Sequence, residues 1–155
     1  MVNIYFLDSS ALIKRYVAEI GSPWIKTLTD SQTGNSLLLV RITWVEVLSA
    51  FARRQREGGI TPAEVAALIQ TFRSEFNSRY RVIEVDEVLI ERAGELIVEY
   101  PLRAYDAVQL ASALRVQSLL TLIPETQLIF VSADNRLLNI AQSAGLAFDN
   151  PNNYA

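Results

Sequence analysis

Four acids are the candidates for whatever chemistry this chain performs: Asp8, Glu46, Asp106 and Asp134. The sequence has neither cysteine nor histidine. Thiolate nucleophiles, disulfides, Cys/His zinc sites and serine–histidine triads are therefore excluded. An enzyme built from these residues must work with carboxylates, hydroxyls, amides, Lys, Arg or Tyr. Clustered carboxylates without imidazole or thiol favour hard cations such as Mg²⁺ or Mn²⁺.

The elements that must position these acids can be read from apolar runs and caps. Short apolar runs at 4–7, 37–40, 82–85 and 128–131 predict buried strands, with a short edge strand at 146–148. Helices are predicted at 11–18, from Ser22-Pro23 onward, 43–57, 62–77, 86–100, 104–118 and 135–144. Thr61-Pro62-Ala63-Glu64 is a capping box with proline at the first helical position, and Gly145 suits a C-cap. Strands alternating with helices predict an α/β fold, three layers with a mostly parallel central sheet.

In such sheets, sites form outside the carboxyl ends of the strands. Asp8 follows the first strand directly, Glu46 lies a few residues past the second, and Asp134 lies three past Val131. Asp106 sits one helical turn before Leu110, on a stripe with Ala113 and Leu114, which points it inward or along the stripe's edge. Glu46 likewise lies within the apolar stretch Trp44-Val45-Glu46-Val47-Leu48. Uncompensated buried charge costs several kcal/mol, and convergent carboxylates repel one another. A divalent cation removes both problems. Each acid also has a plainer explanation. Asp8 and Asp134 suit N-caps, Thr43-x-x-Glu46 has the capping-box pattern, and Asp106 is a first-turn acid favoured by the helix dipole.

The remaining composition sets bounds. A chain of 155 residues suits one domain, read as 1–148 with a loose C-terminal tail at 149–155. No apolar run approaches the ~20 residues of a membrane span, and the start lacks a signal-like pattern, so a cytoplasmic protein is expected. The net charge of −3 leaves any nucleic-acid contact to a local basic patch.

At the four acids the sequence resembles the PIN-domain family, especially VapC toxins of bacterial toxin–antitoxin pairs. Tyr5-Phe6-Leu7-Asp8-Ser9-Ser10-Ala11 resembles the opening motif, and Thr43-Trp44-Val45-Glu46-Val47 the second. Ala104-Tyr105-Asp106-Ala107-Val108-Gln109-Leu110 resembles the third, and Val131-Ser132-Ala133-Asp134-Asn135-Arg136 the fourth. Gln109 stands where the third motif often carries His, and Ser132 where Thr is common. The resemblance implies a PIN fold with Asp8, Glu46, Asp106 and Asp134 as the acidic cluster. It implies Mg²⁺- or Mn²⁺-dependent endoribonuclease activity, homodimerisation, and inhibition by a small antitoxin protein.

On that reading, Asp8, Asp106 and Asp134 are direct or water-mediated metal ligands, and Glu46 is a ligand or orients the attacking water. Ser9 and Ser132 hold ligands or substrate phosphate, and Arg103 and Arg136 contact RNA phosphates. The helix with Val65, Leu68, Ile69 and Phe72 presents an amphipathic stripe, first of all a core face. The resemblance adds that it helps form a groove for an antitoxin segment. Two rivals are weaker. A haloacid-dehalogenase-type phosphatase wants a second Asp where Ser10 stands. A receiver-like phosphoacceptor wants an acidic pair after the first strand and a late Lys, whereas the only lysines are Lys14 and Lys26. A degenerate, purely binding PIN domain is opposed by the intact acid set.

Overall fold

The computed structural model describes residues 1–155. In chain order the elements are β1 (Val2–Leu7), α1 (Ser9–Tyr16), α2 (Ser22–Leu28), β2 (Ser36–Val40), α3 (Thr43–Arg56) and α4 (Pro62–Ser78). There follow β3 (Arg81–Ile83), α5 (Glu87–Glu99), α6 (Ala104–Leu120), β4 (Thr126–Val131), α7 (Asn135–Ser143) and β5 (Ala147–Asp149). The five strands form one sheet in the order β3-β2-β1-β4-β5, and every neighbouring pair is parallel.

Strand alternation divides the core in two. Phe6, Leu38, Val40, Leu128 and Phe130 face α5, α6 and α7. Leu7, Leu37, Leu39 and Val131 face α1 to α4. The result is the three-layer α/β/α arrangement expected from the alternation of elements, with a sheet that is wholly parallel. The stripe of α4 packs as a core face: Val65, Phe72 and Phe76 are buried, and Leu68 and Ile69 lie against the same cluster.

Three local expectations give way. α6 is not striped: residues 107–113 are all buried, including Gln109 and Ser112, because the helix is sandwiched between α5 and the sheet. β3 occupies Arg81–Ile83 and Val85 is exposed, since only Leu38 to Val40 of β2 are available to pair with it. The C-terminal tail is not loose. Pro151–Tyr154 forms a 3₁₀ turn capped by Asn150, Tyr154 stacks on Trp24 of α2 at 4.5 Å, and the Tyr154 hydroxyl donates to Asp149. Gly21 makes that approach possible: a Cβ there would lie 2.4 Å from the Pro151 carbonyl oxygen.

An acidic site at the carboxyl edge of the sheet

All strands run the same way, so their carboxyl ends share one edge. β1 and β4 are neighbours at which the chain order reverses, the place where open α/β sheets bind ligands. Leu7 pairs with Val131, and the next residues on each strand, Asp8 and Ser132, meet directly. The Ser132 hydroxyl donates to Asp8 Oδ2 at 2.6 Å. Asp8 Oδ1 accepts from the Ser10 hydroxyl at 2.7 Å and from the Ala11 N–H at 3.0 Å. The capping role of Asp8 is thus real, but it uses only one oxygen.

Glu46 is held from two sides. Its Oε2 accepts from the Ser9 hydroxyl at 3.0 Å, and its Oε1 from Gln109 Nε2 at 2.8 Å. The capping-box alternative fails here: α3 has no side-chain cap, and the Thr43 hydroxyl instead accepts from the same Gln109 nitrogen. Asp134 caps α7, its Oδ1 accepting from the Arg136 and Leu137 N–H groups, which leaves Oδ2 without a partner. Asp106, half-buried in the first turn of α6, has no hydrogen bond or ion pair, although Arg103 and Arg136 stand near enough to draw its pKa down.

The electrostatics link the four into a chain. Burial pushes the Asp8 carboxyl up to about 6, against the pull of its hydrogen bonds, and Glu46 adds repulsion. Burial also raises Glu46, opposed by Gln109 and Ser9 and reinforced by Asp106. Burial raises Asp106 in turn, with Asp134 as its repelling neighbour. The expectation of one shared pocket needs correction. Glu46 lines a broad cavity with Ser9 and Arg103, Asp106 and Asp134 line a narrow cleft with Arg103 and Arg136, and the buried Asp8 lines neither. No three carboxylates gather tightly enough to enclose an ion unaided. The donor set fits a water-rich hard cation, which keeps several of its own waters and needs few protein oxygens. Asp106 and Asp134 have the free acceptor capacity for it.

The PIN-domain family profile matches residues 5–142, spanning all four acids. The chain belongs to the PIN-domain family. It is 32% identical over 145 residues to ribonuclease VapC45 and, equally, to ribonuclease VapC49, both of Mycobacterium tuberculosis, covering 94% of this chain and 93% of each relative. This PIN domain is of the VapC type. Its fold matches FitAcB from Neisseria gonorrhoeae, with TM-score 0.66 and 14% identity over 96% of this chain and 98% of that one. It also matches M. tuberculosis VapC20, a toxin that cleaves the sarcin–ricin loop, with TM-score 0.63 and 18% identity over 92% and 96% of the two chains. Divalent-metal dependence is typical of VapC-type PIN domains.

Three residues that hold these acids were not among the site candidates of the sequence reading. Ser10 bonds Asp8 and also accepts from the Ala133 N–H, tying α1 to the loop after β4. Gln109 and Thr43 form the support behind Glu46. The available signal was position: Gln109 lies three residues after Asp106, hence on the same side of α6.

Proposed function

We propose that this PIN domain is an endoribonuclease that hydrolyses RNA with Mg²⁺ or Mn²⁺, and the toxin of a toxin–antitoxin pair. The observation that carries the metal is Asp106, a half-buried carboxylate with no donor of its own beside a second acid with a free oxygen. Asp106 and Asp134 would hold the ion, with Asp8 and Glu46 as direct or water-mediated partners. A bound divalent ion supplies charge neutralisation and a more acidic water for phosphodiester hydrolysis. Ser132 and Ser10 fix the Asp8 carboxylate. Ser9 and Gln109 fix Glu46, whose Oε atoms orient the attacking water. Arg103 and Arg136, neither in an ion pair, take the phosphate charge.

The phosphatase rival loses its nucleophile. Asp8 is 3% exposed and bonded at both oxygens, so it is shielded from in-line attack on a phosphate. Asp86, the acid a receiver would use, caps α5 and pairs with Arg115.

An antitoxin segment fits the apolar groove of about 390 Å³ between the end of α1 and α4, lined by Tyr16, Val17, Ile60 and Leu68. VapBC2 of Rickettsia felis and a Klebsiella pneumoniae toxin–antitoxin complex share the fold, and that likeness supports this partner. The exposed Val88, Ile90, Ile97 and Val98 of α5 suit burial in a homodimer. A cytoplasmic location goes with this reading, and no helix is long and apolar enough to cross a membrane. The test is cleavage of structured and unstructured RNA by wild type and Asp106→Asn, with Mg²⁺ and with chelator. Cleavage is expected only in wild type with Mg²⁺; equal cleavage by both proteins would refute the assignment.

A further inference from the structure

Beside the acids lies a cavity of about 570 Å³ whose far wall has no part in the chemistry above. Glu46, Ser49, Ala50 and Arg53 line it at helical spacing along α3, with Tyr105 of α6 on another side. Arg53 stands about 10 Å along α3 from Glu46, two turns of helix. A side chain rooted two turns from Glu46 suits the next link of a polymer bound at the acids. Half of the fourteen Lys and Arg residues form ion pairs, but Arg53 and Arg103, both facing this cavity, form none. Its neighbour Arg54 is neutralised by Glu19. Tyr105 is 52% exposed at the cavity, an aromatic face with no aromatic partner.

A free guanidinium from α3 and a free aromatic ring from α6, in one cavity that also holds Glu46, match the backbone and base of a single-stranded nucleic acid. A protein segment fits the other groove better, because that one is apolar. We infer that Arg53 and Tyr105 form a subsite for the nucleotide adjoining the scissile phosphate, Tyr105 stacking its base and Arg53 contacting its phosphate. The inference rests on the ribonuclease reading and deepens it: the substrate is bound unpaired at this position.

The test is steady-state cleavage of single-stranded oligoribonucleotides by wild type, Arg53→Gln, Tyr105→Ala, Tyr105→Phe and Arg56→Gln. Arg56 is an exposed, unpaired arginine of α3 outside the cavity and controls for general charge. Tyr105→Ala raises KM roughly tenfold with kcat little changed, and Tyr105→Phe restores it. Arg53→Gln raises KM and lowers the slope of log KM against log salt by about 0.7, the share of one phosphate contact. An abasic nucleotide beside the cut reproduces the Tyr105→Ala loss in wild type and adds nothing in the variant. If wild type cleaves, Asp106→Asn does not, and the Arg53 and Tyr105 variants keep wild-type KM, the subsite is wrong and the ribonuclease reading stands. If the variants lose only inhibition by an antitoxin, the cavity binds protein and the inference falls. If wild type fails to cleave, or Asp106→Asn cleaves equally, both readings fall together.

Discussion

Gln109 donates to Glu46 at 2.8 Å from a position in α6 that is 1% exposed, and its own carbonyl oxygen meets no donor. The amide therefore serves Glu46 and Thr43 at the expense of its own satisfaction. Replacing it with Leu removes a buried donor that holds the Glu46 pKa down. A hydrogen bond to a charged group contributes about 1.5–3 kcal/mol, so Glu46 should titrate at least about one pH unit higher. The acid limb of the pH–rate profile should move up by that amount. An unmoved limb would show that Glu46 does not titrate in the reaction, or does not need this support.

Asp8 makes the metal-free protein pH-sensitive. Its folded pKa, about 6, lies above the ordinary 3.8, so the folded state binds the proton more tightly. Its contribution is fully present below pH ~4 and is lost as pH rises through 6. Above that range the buried charge costs up to about 3 kcal/mol. Asp8→Asn removes the charge but exchanges one acceptor for a donor, so a net gain of about 1–2 kcal/mol is expected near pH 7.5. Thermal melts without divalent ions should show a Tm several degrees higher, and the advantage should vanish at pH 4. A variant that is equally destabilised at both pH values would contradict this.

Arg103 faces both the cavity at Glu46 and the cleft at Asp106, and no acid pairs with it. Arg103→Glu should weaken RNA binding by tenfold or more and reduce its salt dependence by about one phosphate contact. Binding isotherms at several salt concentrations measure both. Parallel salt slopes for variant and wild type would place Arg103 outside the interface.

Gly21 has φ +84°, and a side chain there would strike Pro151. Gly21→Ala should destabilise the protein by about 2 kcal/mol through backbone strain and loss of the Trp24–Tyr154 stack. Denaturant unfolding measures this, with the RNA-cleaving rate per folded molecule unchanged.

The sheet edge was legible because a buried strand that ends in an acid is rare by chance and parallel topology puts all such ends together. Asp8, Glu46 and Asp134 follow from that rule alone. Asp106 was found by a stripe that α6 lacks, since residues 107–113 are buried on every side. Its placement instead follows from α6 starting at the same edge. The Ser132 bond to Asp8 depends on the β1–β4 register, and the tail on a contact between Trp24 and Tyr154, 130 positions apart. No local pattern encodes contacts of that range. Nor did the sequence show that the acids divide between a cavity and a cleft, because that depends on how α3 and α6 are spaced.

The account stands on Asp106 and its neighbours holding a divalent ion. Direct titration with Mn²⁺, followed by electron paramagnetic resonance, measures this on the folded protein without RNA. Wild type should show saturable Mn²⁺ binding that Mg²⁺ displaces, weakened at least tenfold in Asp106→Asn. Identical Mn²⁺ binding by wild type and Asp106→Asn would contradict it.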